Sequence, residues 1–240
     1  MSIDIFKEFI SSSNNIVFFG GAGVSTESNI PDFRSANGLY SDSTLSKYSP
    51  EEILSHTFFM KHTKEFYSFY KSKMIYSNAK PNKTHIALAR LEESGKLKAV
   101  ITQNVDGLHQ AAGSKNVIEL HGSVNRNYCM NCHKYFNVNY ILDSFDIPKC
   151  SECQGVIKPD VVLYEEVLDT EVLNASVNYI SKADVFIIGG TSLSVYPAAG
   201  LISYYKGNKL VLINKSSTPY DNKANLILNS SLGEVFNTIY

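Results

Sequence analysis

The sequence predicts an α/β fold, a doubly wound parallel sheet carrying a smaller lobe built from two insertions. Three observations lead there. Short unbroken apolar runs recur along the chain, and several are preceded by helical stretches. The first run, Asn15 to Phe19, enters a glycine turn, Gly20-Gly21-Ala22-Gly23. Two stretches, 36–77 and 126–157, interrupt the alternation, and the second holds all four cysteines.

Each element has its own justification. Residues 3–13 read as a helix, with Ile3, Phe6 and Ile10 on one face and Ser2 placed to cap it. The Asn15–Phe19 run is β-branched and aromatic, as suits a strand buried on both faces of a parallel sheet. Similar runs occur at Leu97–Thr102, Val117–Leu120, Val185–Ile188 and Leu210–Ile213, and Asn82 to Ser94 reads as a helix stopped by Gly95. The first insertion opens a helix with Ser49-Pro50-Glu51-Glu52, a capping-box pattern, followed by Phe58, Phe59, Phe66, Tyr67, Phe69 and Tyr70. That aromatic band reads as core or groove wall, since no excess of Lys and Arg interleaves it as base stacking would require. The expected division is a Rossmann-like domain of residues 1–35, 78–125 and 158–240. The helical insertion 36–77 and the cysteine insertion 126–157 form the small lobe.

Cys129/Cys132 and Cys150/Cys153 are two C-x2-C pairs with 17 residues between the inner members. Four thiolates on two tight knuckles can close a tetrahedral shell around zinc, which points to one structural zinc ion with no open position for catalysis. A disulfide or redox dithiol would suit a secreted chain better.

The 22 Lys and Arg residues balance 23 Asp and Glu, and neither sign forms a block suited to a nucleic-acid backbone or an anionic membrane. The N-terminus lacks the basic and apolar regions of a signal peptide, and no apolar run approaches a membrane span. The expectation is a cytoplasmic protein that reads its substrate locally.

The residues at the carboxyl end of each apolar run carry the functional information. The first run ends in the glycine loop, the second in Gln103-Asn104-Val105-Asp106, the third in His121-Gly122, the fourth in Gly189-Gly190-Thr191-Ser192 and the fifth in Asn214. Any one of these is ordinary turn composition. Ligands of an open α/β sheet bind outside the carboxyl ends of its strands, so all five together point to one site.

"GAGVSTESNIPDFRS", "TQNVDGLH", "ELHG", the two C-x2-C pairs, "KPDVVLYEE", "GGTSLSVYPAAG" and "VLIN" stand in the order and at the spacing of the sirtuins, the NAD-dependent protein lysine deacylases. The chain resembles that family from about residue 15 to its C-terminus, in the short bacterial form. The resemblance implies NAD as co-substrate and acetyl-lysine proteins or peptides as partners.

It also implies roles. Ala22, Gly23 and Thr26 would line the phosphates, Arg34 would approach them, and Phe33 would shield the ribose face. A loop that folds over the ribose needs side chains, which accounts for Thr26 where a dinucleotide fingerprint has a third glycine. Asp106, with the backbone at Val105, would grip the nicotinamide carboxamide. Gln103 and the catalytic Asn104 would position the ribose. The acetyl oxygen would attack the ribose carbon to give an alkylamidate, with His121 as general base. Thr191, Ser192, Asn214 and the turn around Leu232 would meet the adenosine side. Val162, Tyr164 and Val195 would line the acyl-lysine peptide, Val162 through its carbonyl.

Three departures from the family pattern stand out. Asn29 occupies a usual glycine. Tyr164-Glu165-Glu166 replaces phenylalanine-glycine-glutamate where the peptide pairs as an added strand. Tyr67 is followed by Tyr70 where members preferring acidic acyl groups have arginine, so neutral acyl groups are expected, acetyl first. ADP-ribosyl transfer to protein and a non-catalytic NAD or zinc module remain alternatives, as do other neutral acyl groups.

Overall fold

The computed structural model describes residues 2–33, 38 and 48–239. The first helix, α1 (Ser2–Ser11), buries Phe6 and Ile10 as its periodicity predicts. It begins at Ser2, which is therefore helical and not the residue before the helix. Six parallel strands form one sheet: β1 (Ile16–Gly20), β2 (Leu97–Thr102), β3 (Val117–Glu119), β7 (Val185–Gly189), β8 (Leu210–Ile213) and β9 (Leu226–Leu228). Their order is β3-β2-β1-β7-β8-β9. The order reverses between β1 and β7, which is the place where doubly wound folds open a ligand crevice.

Both faces of this sheet are covered, which is why its strands read as continuous apolar runs. Ile16 and Phe18 of β1 pack with Phe6, Leu88 and Phe236, while Val17 and Phe19 turn to Ile180, Phe186 and Leu201. The first face carries α1, α5 (Lys83–Glu93) and α9 (Leu232–Phe236); the second carries α8 (Thr170–Lys182). Gly95, at a φ of 75°, ends α5 in the left-handed geometry that glycine adopts freely.

A second, three-stranded antiparallel sheet, ordered β5-β4-β6, is made of β4 (Gly122–Cys129), β5 (Tyr135–Asn137) and β6 (Ile157–Val161). The short helices α2 (Pro50–Ile53) and α3 (His56–Lys61) lead into α4 (Thr63–Lys73). Ser49 caps α2 by accepting from the Glu52 amide at 3.2 Å. The aromatic band of α3 and α4 shares one core with Cys129, Phe136, Cys150 and Ile157, so the helical and cysteine-bearing stretches bury each other. The remaining helices are α6 (Leu108–Ala111), next to α5, and α7 (Val138–Asp143), next to β5. The sequence-expected site residue Arg34 and residues 36–37 and 39–47 of the first insertion lie outside the described residues.

Candidate active site

The crevice at the reversal of strand order is lined by backbone from both sides. A Cβ on Gly23 would come within 2.7 Å of the Gly190 Cα, and Gly190 itself has a φ of 62°. Gly23 donates its amide to the Gly190 carbonyl at 2.8 Å. The loop after β1 continues in two short 3-10 turns, Ala22–Val24 and Thr26–Ser28. The position of Thr26 therefore needs no close-packing glycine, and its hydroxyl donates to the Gly23 carbonyl at 3.0 Å. Asn29 takes a φ of 62°, the left-handed geometry expected of a residue standing in for glycine.

Long-range contacts fix this loop. Asn82, the cap of α5, donates to the Val24 carbonyl at 2.8 Å and to Ser28 Oγ at 3.0 Å. Glu27 accepts from the Gly233 amide at 3.0 Å. Leu232 is buried, with its side chain packed under Gly189. Phe33 is half-buried against the aromatic core of the small lobe.

The loop after β2 faces the glycine loop through Ser25, which sequence reasoning passed over. Ser25 Oγ donates to Asp106 Oδ2 at 2.7 Å and accepts from Asn104 Nδ2 at 3.1 Å, while Asp106 Oδ1 accepts from the Leu108 amide at 2.8 Å. Burial pushes the Asp106 carboxyl above its ordinary value, and the bonds from Leu108 and Ser25 pull it back. Val105 accepts from the Val124 amide at 3.0 Å through its carbonyl. A cavity of about 180 Å³ opens beside Asp106, walled by Ile30, Tyr76, Leu108, Val124 and Asn125.

Gln103 reaches across to the β7 loop, where its Oε1 accepts from Thr191 Oγ1 at 3.2 Å. Its Nε2 is buried with no partner among the described residues. Thr191 and Asn214 clasp each other: the Asn214 side chain accepts from the Thr191 amide at 3.1 Å and donates to the Thr191 carbonyl at 3.0 Å. Both ends of the Asn214 amide are thus engaged in holding the loop. Ser192 is exposed and paired with Ser194 at 2.7 Å.

His121 Nδ1 lies 2.9 Å from the Gln103 carbonyl. A carbonyl only accepts, so Nδ1 carries the proton and Nε2 is left with its lone pair. Burial lowers the pKa of this ring, with partial compensation from the Gln103 carbonyl. The His121 carbonyl accepts from the Val162 amide at 3.0 Å, which joins the histidine to the segment after β6 that bears Tyr164. Val195 is half-buried in the loop after β7, where its carbonyl accepts from the Ala199 amide at 2.9 Å.

The four cysteines come together as their spacing predicts. None is in a disulfide, and their sulfurs all lie within 4.8 Å of one another. The close pairs are 3.4 Å (Cys129 and Cys153), 3.5 Å (Cys132 and Cys153) and 3.6 Å (Cys132 and Cys150). Zinc–sulfur bonds of about 2.3 Å in a tetrahedron place sulfurs about 3.8 Å apart, so the cluster fits that ion.

With this geometry in place, the chain can be set beside known proteins. It is 65% identical over 234 residues, 97% of its length, to an NAD-dependent protein deacetylase of Clostridium tetani, of which it covers 95%. It is 62% identical over 238 residues to the one of Clostridium perfringens, with 99% and 98% of the two chains covered. Two solved structures superpose over all of this chain and 97% of theirs. They are a Sir2 variant with a deacetylated p53 peptide and 3′-O-acetyl ADP ribose (TM-score 0.90, 40% identity) and Sir2 with a p53 peptide and NAD+ (TM-score 0.87, 41% identity). The model of the Sir2 family matches residues 21–197, and with relatives this similar along the whole length, the chain belongs to the Sir2 family.

Proposed function

We propose that this protein is an NAD-dependent protein-lysine deacetylase that cleaves nicotinamide from NAD and passes the acetyl group to ADP-ribose. The observation that carries the reading is His121: a partly buried neutral imidazole with its proton fixed on Nδ1, bonded through its backbone to Val162 in the segment expected to hold the peptide. The names of the clostridial relatives support the same activity.

The residues fit NAD. The Gly23–Gly190 approach leaves no room for a Cβ, and Gln103 Nε2 is a buried donor that no group among the described residues satisfies. NAD bound there supplies a ribose carbon from which nicotinamide departs. Ala22, Gly23, Thr26, Phe33 and Arg34 hold its phosphates and ribose from the first loop. Asp106 and the Val105 backbone grip the carboxamide, with Ser25 fixing the carboxylate. Gln103 and Asn104 orient the ribose, and Thr191 and Ser192 meet the adenosine. Asn214 and Leu232 act there by shaping the walls. His121 Nε2 takes the proton of a ribose hydroxyl. Val162 offers its carbonyl to the acyl-lysine amide, and Tyr164 and Val195 flank it.

Cys129, Cys132, Cys150 and Cys153 hold a structural zinc ion in the small lobe, taken as residues 36–77 and 126–157 between segments of the Rossmann-like domain. Free thiols at these positions suit a reducing compartment such as the cytoplasm. Among the described residues no helix is long and apolar enough to cross a membrane.

A His121→Ala variant tests the reading. Deacetylation of an acetyl-lysine peptide should drop by about two to four orders of magnitude, as for loss of a general base, while calorimetry shows NAD binding kept. Undiminished deacetylation by the variant would overturn it.

A further inference from the structure

We propose that Glu165 is a positioning residue for the peptide: its carboxylate latches the 162–166 turn to α3 and so sets the backbone groups that an incoming peptide meets. The inference rests on the deacetylase reading above. Glu165 has a φ of 75°, a conformation costly for any residue with a Cβ and free for glycine. Such a residue persists where surrounding contacts over-determine it. Here the contact is a hydrogen bond from the Thr57 amide to Glu165 Oε2 at 2.8 Å.

The first amides of a helix lack helical partners and must find others. In α3, Phe58 donates to its own cap, Ser55 Oγ, at 3.1 Å. The two before it are served by the turn: His56 donates to the Tyr164 carbonyl at 2.9 Å and Thr57 to the Glu165 carboxylate. The Thr57 bond, and then His56 and Lys61, hold the Glu165 carboxyl below its ordinary value, so the latch is charged at neutral pH.

Glu166 consolidates the turn. Its Oε1 lies 2.8 Å from His56 Nδ1, and its Oε2 accepts from Lys158 Nζ at 3.1 Å and from the Leu163 amide at 2.9 Å. The Leu163 carbonyl accepts from the Glu166 amide at 3.0 Å, and the Tyr164 amide donates to the Leu54 carbonyl at 3.0 Å. The peptide groups of residues 163 and 164 are therefore spent inside the protein. Among the described residues, the Val162 carbonyl and the Glu165 amide and carbonyl make no hydrogen bond. An extended peptide adding to this edge would pair with those groups, and their spacing depends on the conformation of Glu165.

Glutamate thus does what glycine could not: it pins the turn it distorts. Substitution separates the two effects, because Glu165→Gly relieves the backbone and removes the latch, whereas Glu165→Gln keeps an oxygen that can accept from Thr57. Steady-state deacetylation would be measured at saturating NAD against acetyl-lysine peptide concentration, with NAD varied separately. For Glu165→Gly the peptide KM should rise about tenfold, with kcat and the NAD KM within about twofold of wild type; Glu165→Gln should stay within about threefold throughout. A Glu165→Gly peptide KM equal to or below that of wild type overturns the latch, as does a loss shared equally by kcat and the NAD KM. Failure of the wild-type chain to deacetylate overturns the deacetylase reading instead, so the two failures are distinguishable.

Discussion

A histidine serves as a base only while one ring nitrogen is kept free of its proton, and at His121 the Gln103 carbonyl decides which one. Because burial lowers the pKa of this ring, the acid limb of kcat/KM should fall below the ordinary histidine value of about 6.5, with activity lost as pH drops through it. A limb centred above that value would contradict the partly buried neutral ring. The proposed acyl preference also turns on single residues. The Tyr67 hydroxyl donates to the Ile157 carbonyl, and Tyr70 is buried with its hydroxyl held neutral by desolvation. Neither offers a cation to an acidic acyl group, so a succinyl-lysine peptide should turn over at least about tenfold less efficiently than its acetyl counterpart. Comparable kcat/KM for the two would refute this. At this scale the sequence was readable where a motif carries the side chain, as with His121, Asp106 and the cysteines. Ser25 was passed over because its significance lies in reaching Asp106 and Asn104, about eighty residues away, and no local pattern marks such a partner.

Between elements, small numbers of contacts fix the relation of the loops. Arg126 on β4 holds Glu119, two residues before His121, at 2.6 Å, and Asp160, two residues before Val162, at 2.7 Å. It ties the end of β3 to β6, and Arg126→Ala should destabilise the fold by about 1 kcal/mol, since the pair is partly exposed. Denaturant unfolding measures this, and an unchanged midpoint would argue against the clip. The contact of α5 with α6 is a different case. His85 and His109 meet there with ring centroids 4.7 Å apart, both buried. Burial lowers His85 to about 4, and burial, then His85, lowers His109 to about 3. The unfolded chain binds protons at these residues from about pH 6.5 downward while the folded one does not. Stability contributed by the neutral pair is therefore complete above about pH 6.5 and lost toward the folded values. The melting temperature should fall steadily between about pH 6.5 and 4, and a flat profile would contradict the buried pair. The main strands were legible because burial on both faces leaves an unbroken apolar run. The three-residue β9 was not read, and β4 to β6 were hidden because their burial is one-sided and broken by a register shift between Ser123 and Asn127.

Across the whole molecule, one sheet supplies the crevice and a second, smaller core supplies the wall that faces it. That second core contains Cys129 and Cys150 together with Val161, Leu163 and the α3 and α4 aromatics, so the four-cysteine cluster and the segment after β6 share one packing unit. Removing zinc with a chelator should lower the melting temperature and abolish deacetylation together, because metal binding and folding of such clusters are coupled. Full activity in metal-free protein, checked by elemental analysis, would sink that link. The alternation of strands and helices, with glycine, amide and histidine groups after successive strands, was enough to place the crevice from sequence. How the small lobe packs depends on pairings far apart in the chain and became visible only in the structure.

The most direct test of the central claim is mass spectrometry of the purified protein with an acetyl-lysine peptide, with and without NAD. Appearance of deacetylated peptide together with O-acetyl-ADP-ribose only when NAD is present is the expected result. Peptide left untouched in the presence of bound NAD, or deacetylated without NAD, would contradict the account.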